Sequence, residues 1–379
     1  MHQFVADGAA EIASRAQREL EALVAVSSPS GDVDGAEEAI ALCAAFLPPD
    51  ADIERVQCST PGSAPDLIAG LSGGGSHRLL LLGHLDTVIG HQSHAPLRHE
   101  GDRLYGPGAV DMKGGVVLAL GVARALAAHR DSFAELTVLL VTDEEWRIEE
   151  FRHVERFASY HACLCFEGGQ LTADGDEGVV VQRKAAGTMR VAATGRAAHS
   201  GSAPDQGRNA LLALAATAIE VAKHHHPGGA ERLSVVPTVV RSGDAFNVVP
   251  AEGELLFDMR ADLSQSFDPV CAAVPRELDG VSLETKLQRV WPGMDSREAT
   301  RALLERAGAR LGQRIVGVAR GGASDASHFA PSIPLTVDGL GPRGGGAHTP
   351  NEFVLAPSLR ERAAVALALA AEVLAMEDS

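Results

Sequence analysis

Several short stretches of this chain end in residues able to hold a cation or move a proton. RLLLLGHLDTV places His84 and Asp86 two residues apart at the end of an apolar run, on one face of a strand. That spacing suits an imidazole that binds metal while a carboxylate steadies its second nitrogen; a turn Asp beside a surface His fits equally well. LTVLLVTDEEWR finishes another apolar run in Asp143, Glu144 and Glu145, where like charges repel and desolvation is costly. YGPGAVDMKGG sets Asp111 in a glycine-rich loop before a helix, the ordinary place of an N-cap. LCFEGG adds Glu167 after a further run, and GGGAHTPNE carries His348 in a glycine-rich loop late in the chain. One acid at a strand end is unremarkable, but open α/β sheets bind ligands at the carboxyl ends of their strands. Two His and three carboxylates delivered there, without Cys, suit a pair of divalent ions, zinc first and cobalt or manganese as alternatives.

The elements that must position these groups read as α/β in the first half. AEIASRAQRELEALVAV and AEEAIALCAAFL repeat apolar residues at helical spacing, with the loop SSPSGD between them. DLIAGLS, RLLLLGH, LTVLLVT and ACLCFE are continuous apolar strands, and KGGVVLALGVARALAAH is a helix among them. This predicts a mostly parallel sheet covered by helices on both faces. From about residue 186 the order becomes β-α-β-β-α-β: TMRVAATG, NALLALAATAIEVAKHHH, LSVVPTVVRSG, NVVPAEGELLFDMRAD, a second helix and VSLETKLQRV. That is the ferredoxin-like unit. The expected organisation is a catalytic domain of residues 1–185 and 292–379 with an α+β domain, 186–291, inserted into it.

At 379 residues the chain can build two sizeable cores, and 45% apolar with 22% charged residues is the composition of a globular protein. The net charge of −17 argues against nucleic-acid binding. Five cysteines without CxxC spacing suggest neither a disulfide scaffold nor a thiolate metal site. The N-terminus lacks the pattern of a signal peptide, and no apolar stretch reaches membrane-spanning length. The expectation is a cytoplasmic protein without membrane or nucleic-acid partners.

HLDTV, YGPGAVDMKGG, TDEE, FEGG, GRAAHSGSAPDQGRNA, NVVP, DMR, GGASDAS and GAHTPNE occur in the order and spacing of a known family. Over nearly its whole length the chain resembles the dinuclear zinc amidohydrolases, which include glutamate carboxypeptidase, aminoacylase, acetylornithine deacetylase and succinyl-diaminopimelate desuccinylase. APLRHEGDRLYGPGAVDMKGG is most similar to the glutamate carboxypeptidase branch. The resemblance implies that Asp111 bridges two zinc ions, with a cis peptide after it. His84 and Glu167 would complete one ligand set, Glu145 and His348 the other. Asp86 would orient His84, and Glu144 would be the general base toward a zinc-bound water. The inserted domain would be a lid and homodimerisation domain whose His199 stabilises the oxyanion, often in the partner's site. Asn247 and Arg260 would hold the substrate, and Gly321 and Gly322 would offer N–H groups to its α-carboxylate.

The implied reaction is hydrolysis of an amide in an N-acyl amino acid or short peptide with a free C-terminal carboxylate, glutamate favoured. A simple N-acyl amino acid deacylase is the alternative, and a catalytically silent binder of such conjugates a third. Intact Glu144 speaks against the last. The chain leaves the family pattern after TDEE, where Trp146 and Arg147 replace a small residue and glycine; a bulky Trp there is expected to narrow the pocket. FEGG stands in place of the more usual Glu-Pro.

Overall fold

The computed structural model describes residues 2–376. Its main sheet has six strands in the order Asp52–Val56, Asp66–Ser72, Glu135–Val141, Arg78–His84, Ala162–Cys165 and Leu335–Val337. The first two pairings are antiparallel and the other three parallel. In the central strands every residue after Arg78 and after Glu135 is buried, which explains why they read as unbroken apolar runs. Helix His2–Ala25 packs on Gly114–Ala127 and Ala356–Leu374, while Gly114–Ala127 lies against the two central strands.

Register is what brings the site together. His84 pairs with Val141, and Leu82 with Cys165, so three parallel strands end almost level. Backbone bonds continue past the ends, from Leu85 N–H to Val141 O at 2.9 Å and from Phe166 N–H to Leu82 O at 3.1 Å. Asp86, Glu144–Glu145 and Glu167 therefore emerge along one edge. The helix start fits beneath that edge only because it is glycine: a Cβ on Gly115 would sit 1.7 Å from the Phe166 carbonyl oxygen.

Residues 185–283 form a second hydrophobic core, separate from the first, which draws on Val5–Val181 and Met294–Val373. The strands Ser234–Ser242, Glu252–Ala261, Ala185–Thr194 and Val281–Trp291 lie antiparallel in that order, with helix Ala210–Ala222 on them. This is the split β-α-β arrangement expected from the element order. Two details differ. NVVP is not strand; the strand starts at Glu252, beyond Pro250, which has no N–H for a ladder. The helix stops at Ala222, so the HHH run lies beyond it.

Two small sheets have no counterpart in the sequence reading. Glu177–Arg183 pairs in parallel with Ile315–Arg320. Arg98–Glu100, Arg103–Tyr105, Phe353–Leu355 and Gly344–Gly345 make another, which presents the loop carrying His348. Among the described residues no helix is long and apolar enough to cross a membrane.

Candidate metal centre

Asp111 lies between two imidazoles. Its Oδ1 is 3.1 Å from His84 Nε2, and its Oδ2 is 3.1 Å from His348 Nε2. Glu167 stands 3.8 Å from His84, and Glu145 is 3.0 Å from His348. Two triads result, His84–Asp111–Glu167 and Asp111–Glu145–His348, each with ligand atoms within 4.8 Å of one another. All five metal-ligand candidates from the sequence are thus brought together, and the Asp111–Met112 peptide is cis.

The donor chemistry fits a pair of divalent cations. The set is all nitrogen and oxygen, Asp111 offers one oxygen to each triad, and no Lys or Arg pairs with its three carboxylates among the described residues. Burial works against ionised Asp111, yet the two imidazoles hold its carboxyl far below the ordinary range. Burial, then the charge of Asp111, pushes Glu167 up to about 8. Hydrogen bonds to Asp111 and Glu145 lift His348 to about 10. A cation bound here displaces those protons.

Asp86 does more than steady His84. Its Oδ1 lies 3.4 Å from His84 Nδ1 and accepts the Glu144 N–H at 3.0 Å, while Oδ2 accepts the Glu145 N–H at 3.0 Å. Ser30, in the loop between the first two helices, donates its hydroxyl to Oδ2 at 2.7 Å. One buried carboxylate thereby fixes both an imidazole and the turn bearing the two glutamates. Glu144 belongs to neither triad but lines the same cleft, and burial pushes its carboxyl well above the usual range.

Two further supports have no role assigned from the sequence. Glu352 accepts N–H bonds from Gly108, Val110 and Asp111 at 2.9, 2.8 and 2.9 Å, clamping the Asp111 loop. Burial raises Glu352 to about 7 despite those bonds. It stands inside GGGAHTPNE, but nothing local distinguishes it from a surface acid. The second is Arg147, whose buried guanidinium pairs with Asp325 and, at 3.4 Å, with Asp143, over the ring of Phe151. Trp146 corrects an expectation: it is 58% exposed and does not line the cleft, because the turn sends Arg147 inward in its place.

The cleft, about 560 Å³, is lined by Asp111, Glu144, Glu145, Glu167 and His348 on one side. Arg260, Gly321 and Gly322 join them from the inserted domain and the glycine loop. His199 and Asn247 lie together on the inserted domain, through an isolated bridge of His199 with Val248 and a 3.0 Å bond from Ser200 N–H to Asn247 O. Both are exposed and neither lines the cleft.

This fold, with two acid–imidazole triads on one sheet edge, defines a metal-dependent hydrolase. Residues 80–372 match the model of peptidase family M20/M25/M40, and the chain belongs to that family. It is 30% identical over 354 residues to carboxypeptidase G2 of Pseudomonas sp. (strain RS-16), covering 87% of this chain and 82% of that protein. It is also 30% identical over 320 residues to succinyl-diaminopimelate desuccinylase of Xylella fastidiosa (strain 9a5c), covering 77% and 82%. The M20 family metallo-carboxypeptidase Sso-CP2 of Sulfolobus solfataricus shares the fold, with a TM-score of 0.74 at 15% identity over 95% of this chain and 99% of that one.

Proposed function

We propose that the enzyme hydrolyses the amide of an N-acyl amino acid or short peptide with a free C-terminal carboxylate, in the manner of a glutamate carboxypeptidase. The observation that carries this reading is Asp111 shared between two triads, with Glu144 beside both and a ligand of neither. Zinc suits the mixed imidazole and carboxylate donors, held by His84, Asp111 and Glu167 on one side and Asp111, Glu145 and His348 on the other. The chemistry supplied by bound ions is Lewis acidity toward the scissile carbonyl and the attacking water.

The chain's own residues do the rest. Glu144, whose burial raises its proton affinity, takes a proton from the attacking water and returns it to the departing nitrogen. Asp86 keeps the base-bearing turn and His84 in register. Arg260 and the N–H groups of Gly321 and Gly322 receive the substrate's α-carboxylate. His199 and Asn247 act from the inserted domain, as a lid, on the site of a partner subunit. That domain leaves Leu212 and Ile219 of its helix 65% and 66% exposed beside the open edge strand Ser234–Ser242, a surface suited to pairing two copies. The five free cysteines, four of them buried, suit a reducing compartment such as the cytoplasm. The likeness to a desuccinylase favours a second reading, deacylation of a simple N-acyl amino acid, which breaks the same bond.

Glu144→Gln tests the assignment. Turnover of a panel of acyl amino acids and dipeptides by the zinc-loaded protein should fall about 10²–10⁴-fold with metal content unchanged. Turnover equal to wild type would remove Glu144 from the mechanism, and a metal-loaded wild type inactive on the whole panel would favour a silent binder.

A further inference from the structure

Four arginines line the cleft, and they are not equivalent. Arg183 is buried and neutralised by Asp338, with Nε to Oδ2 at 2.6 Å, and its Nη1 donates to the Gly322 carbonyl at 2.8 Å. Arg260 pairs with Asp258 at 3.0 Å. Arg289 and Arg320 have no carboxylate within ion-pair distance among the described residues. Each is tethered by a single nitrogen. Arg320 donates Nε to Gln170 Oε1 at 2.7 Å, and Arg289 donates Nη2 to the backbone oxygen of Glu145 at 2.7 Å. Their other N–H groups meet no protein acceptor among the described residues.

Holding a half-buried guanidinium without a counter-ion is costly, and here a second arginine adds to the cost. Burial and the neighbouring Arg183 both pull the Arg320 pKa below its usual value. Asp338, Glu167 and Asp111 attract Arg320 from beyond ion-pair distance but none of them pairs with it, and Arg289 donates only to the Glu145 carbonyl while its guanidinium lies 5.9 Å from the centre of the Trp291 ring. A tethered guanidinium with donors to spare, in the wall of a substrate cleft, is equipped to bind a carboxylate.

We infer that Arg289 and Arg320 form a subsite for a second anionic group of the substrate, the side-chain carboxylate of an acidic amino acid, and so determine specificity. The inference rests on the hydrolase reading above, in which Arg260 and the glycine loop take the α-carboxylate. The amino acid released then carries two carboxylates, and a neutral isostere leaves both guanidiniums without a partner.

L-glutamate and L-glutamine differ at that group alone, which sets the test. Calorimetric titration of the zinc-loaded wild type with each should show glutamate binding about tenfold to hundredfold more tightly. Arg320→Gln and Arg289→Gln should each shrink that ratio, and the double variant should bring it near one, with Arg320→Lys keeping part of it. Equal affinities in wild type, no glutamate binding, or an unchanged ratio in folded variants would overturn the subsite; the wild-type comparison decides even if a variant does not fold. Hydrolysis of N-acetyl-glutamate and N-acetyl-glutamine separates the two readings. Cleavage of both without preference overturns the subsite and leaves the hydrolase. Cleavage of neither, with selective glutamate binding lost in the variants, overturns the substrate reading and leaves the subsite.

Discussion

The sheet edge and the inserted domain hold their candidate functional side chains in opposite ways. At the sheet edge His84, Asp86 and Glu144 are buried, and the Asp86 carboxylate fixes both the imidazole and the backbone that carries Glu144. On the inserted domain His199 and Asn247 are exposed, bonded within and between two neighbouring loops and away from the cleft. The first is a site already assembled within one chain, where preorganisation comes from folding. The second consists of groups that, on the proposal above, act only where a partner's site is brought to them.

The sharpest way to break this contrast is to ask where His199 works. Its replacement by Ala should lower turnover about 10²–10³-fold, the cost of losing an oxyanion donor. If it acts across a dimer, co-refolding the inactive His199→Ala and Glu144→Gln chains should restore about a quarter of wild-type activity, since half of a random mixture is heterodimer with one intact site. No recovery would place His199 in its own chain's site or outside the mechanism.

A second expectation concerns rigidity at the sheet edge. Arg147→Met leaves Asp143 and Asp325 buried and unpaired, which should cost about 3–5 kcal/mol in denaturant unfolding. The adjacent Trp146→Ala, at a side chain 58% exposed, should change stability by only about 0.5 kcal/mol. Similar losses at both positions would contradict the inward placement of Arg147.

The third is graded with pH. Without a cation, His348 holds a proton up to about 10 and Glu167 up to about 8. Below those values a metal must displace protons, so affinity should rise with pH, by about tenfold per unit for each proton displaced. Competition with a chelator from mildly acidic to mildly alkaline pH measures the slope; a flat profile would mean these groups are not ligands.

The sheet edge was the more legible region, and for a physical reason. Buried parallel strands must be apolar throughout, so polar residues stand out where the runs stop, and one register aligns all the stops. The ferredoxin-like order was legible for the same reason of periodicity. Glu352 and Ser30 were not, because their partners are backbone N–H groups and a carboxylate far away in sequence. Trp146–Arg147 is visible as a departure, but Trp146 does not narrow the pocket as expected: the larger apolar side chain goes to solvent and the charged one inward. The aspartates at 143 and 325 and the ring of Phe151, brought together by folding, make that arrangement stable.

In the proposed mechanism Asp111 would serve both metal sites. Metal analysis of the zinc-saturated protein measures this directly. The account predicts one ion for each of the two triads in wild type, and loss of at least one of them in Asp111→Ala. A single ion per chain that survives Asp111→Ala would contradict it.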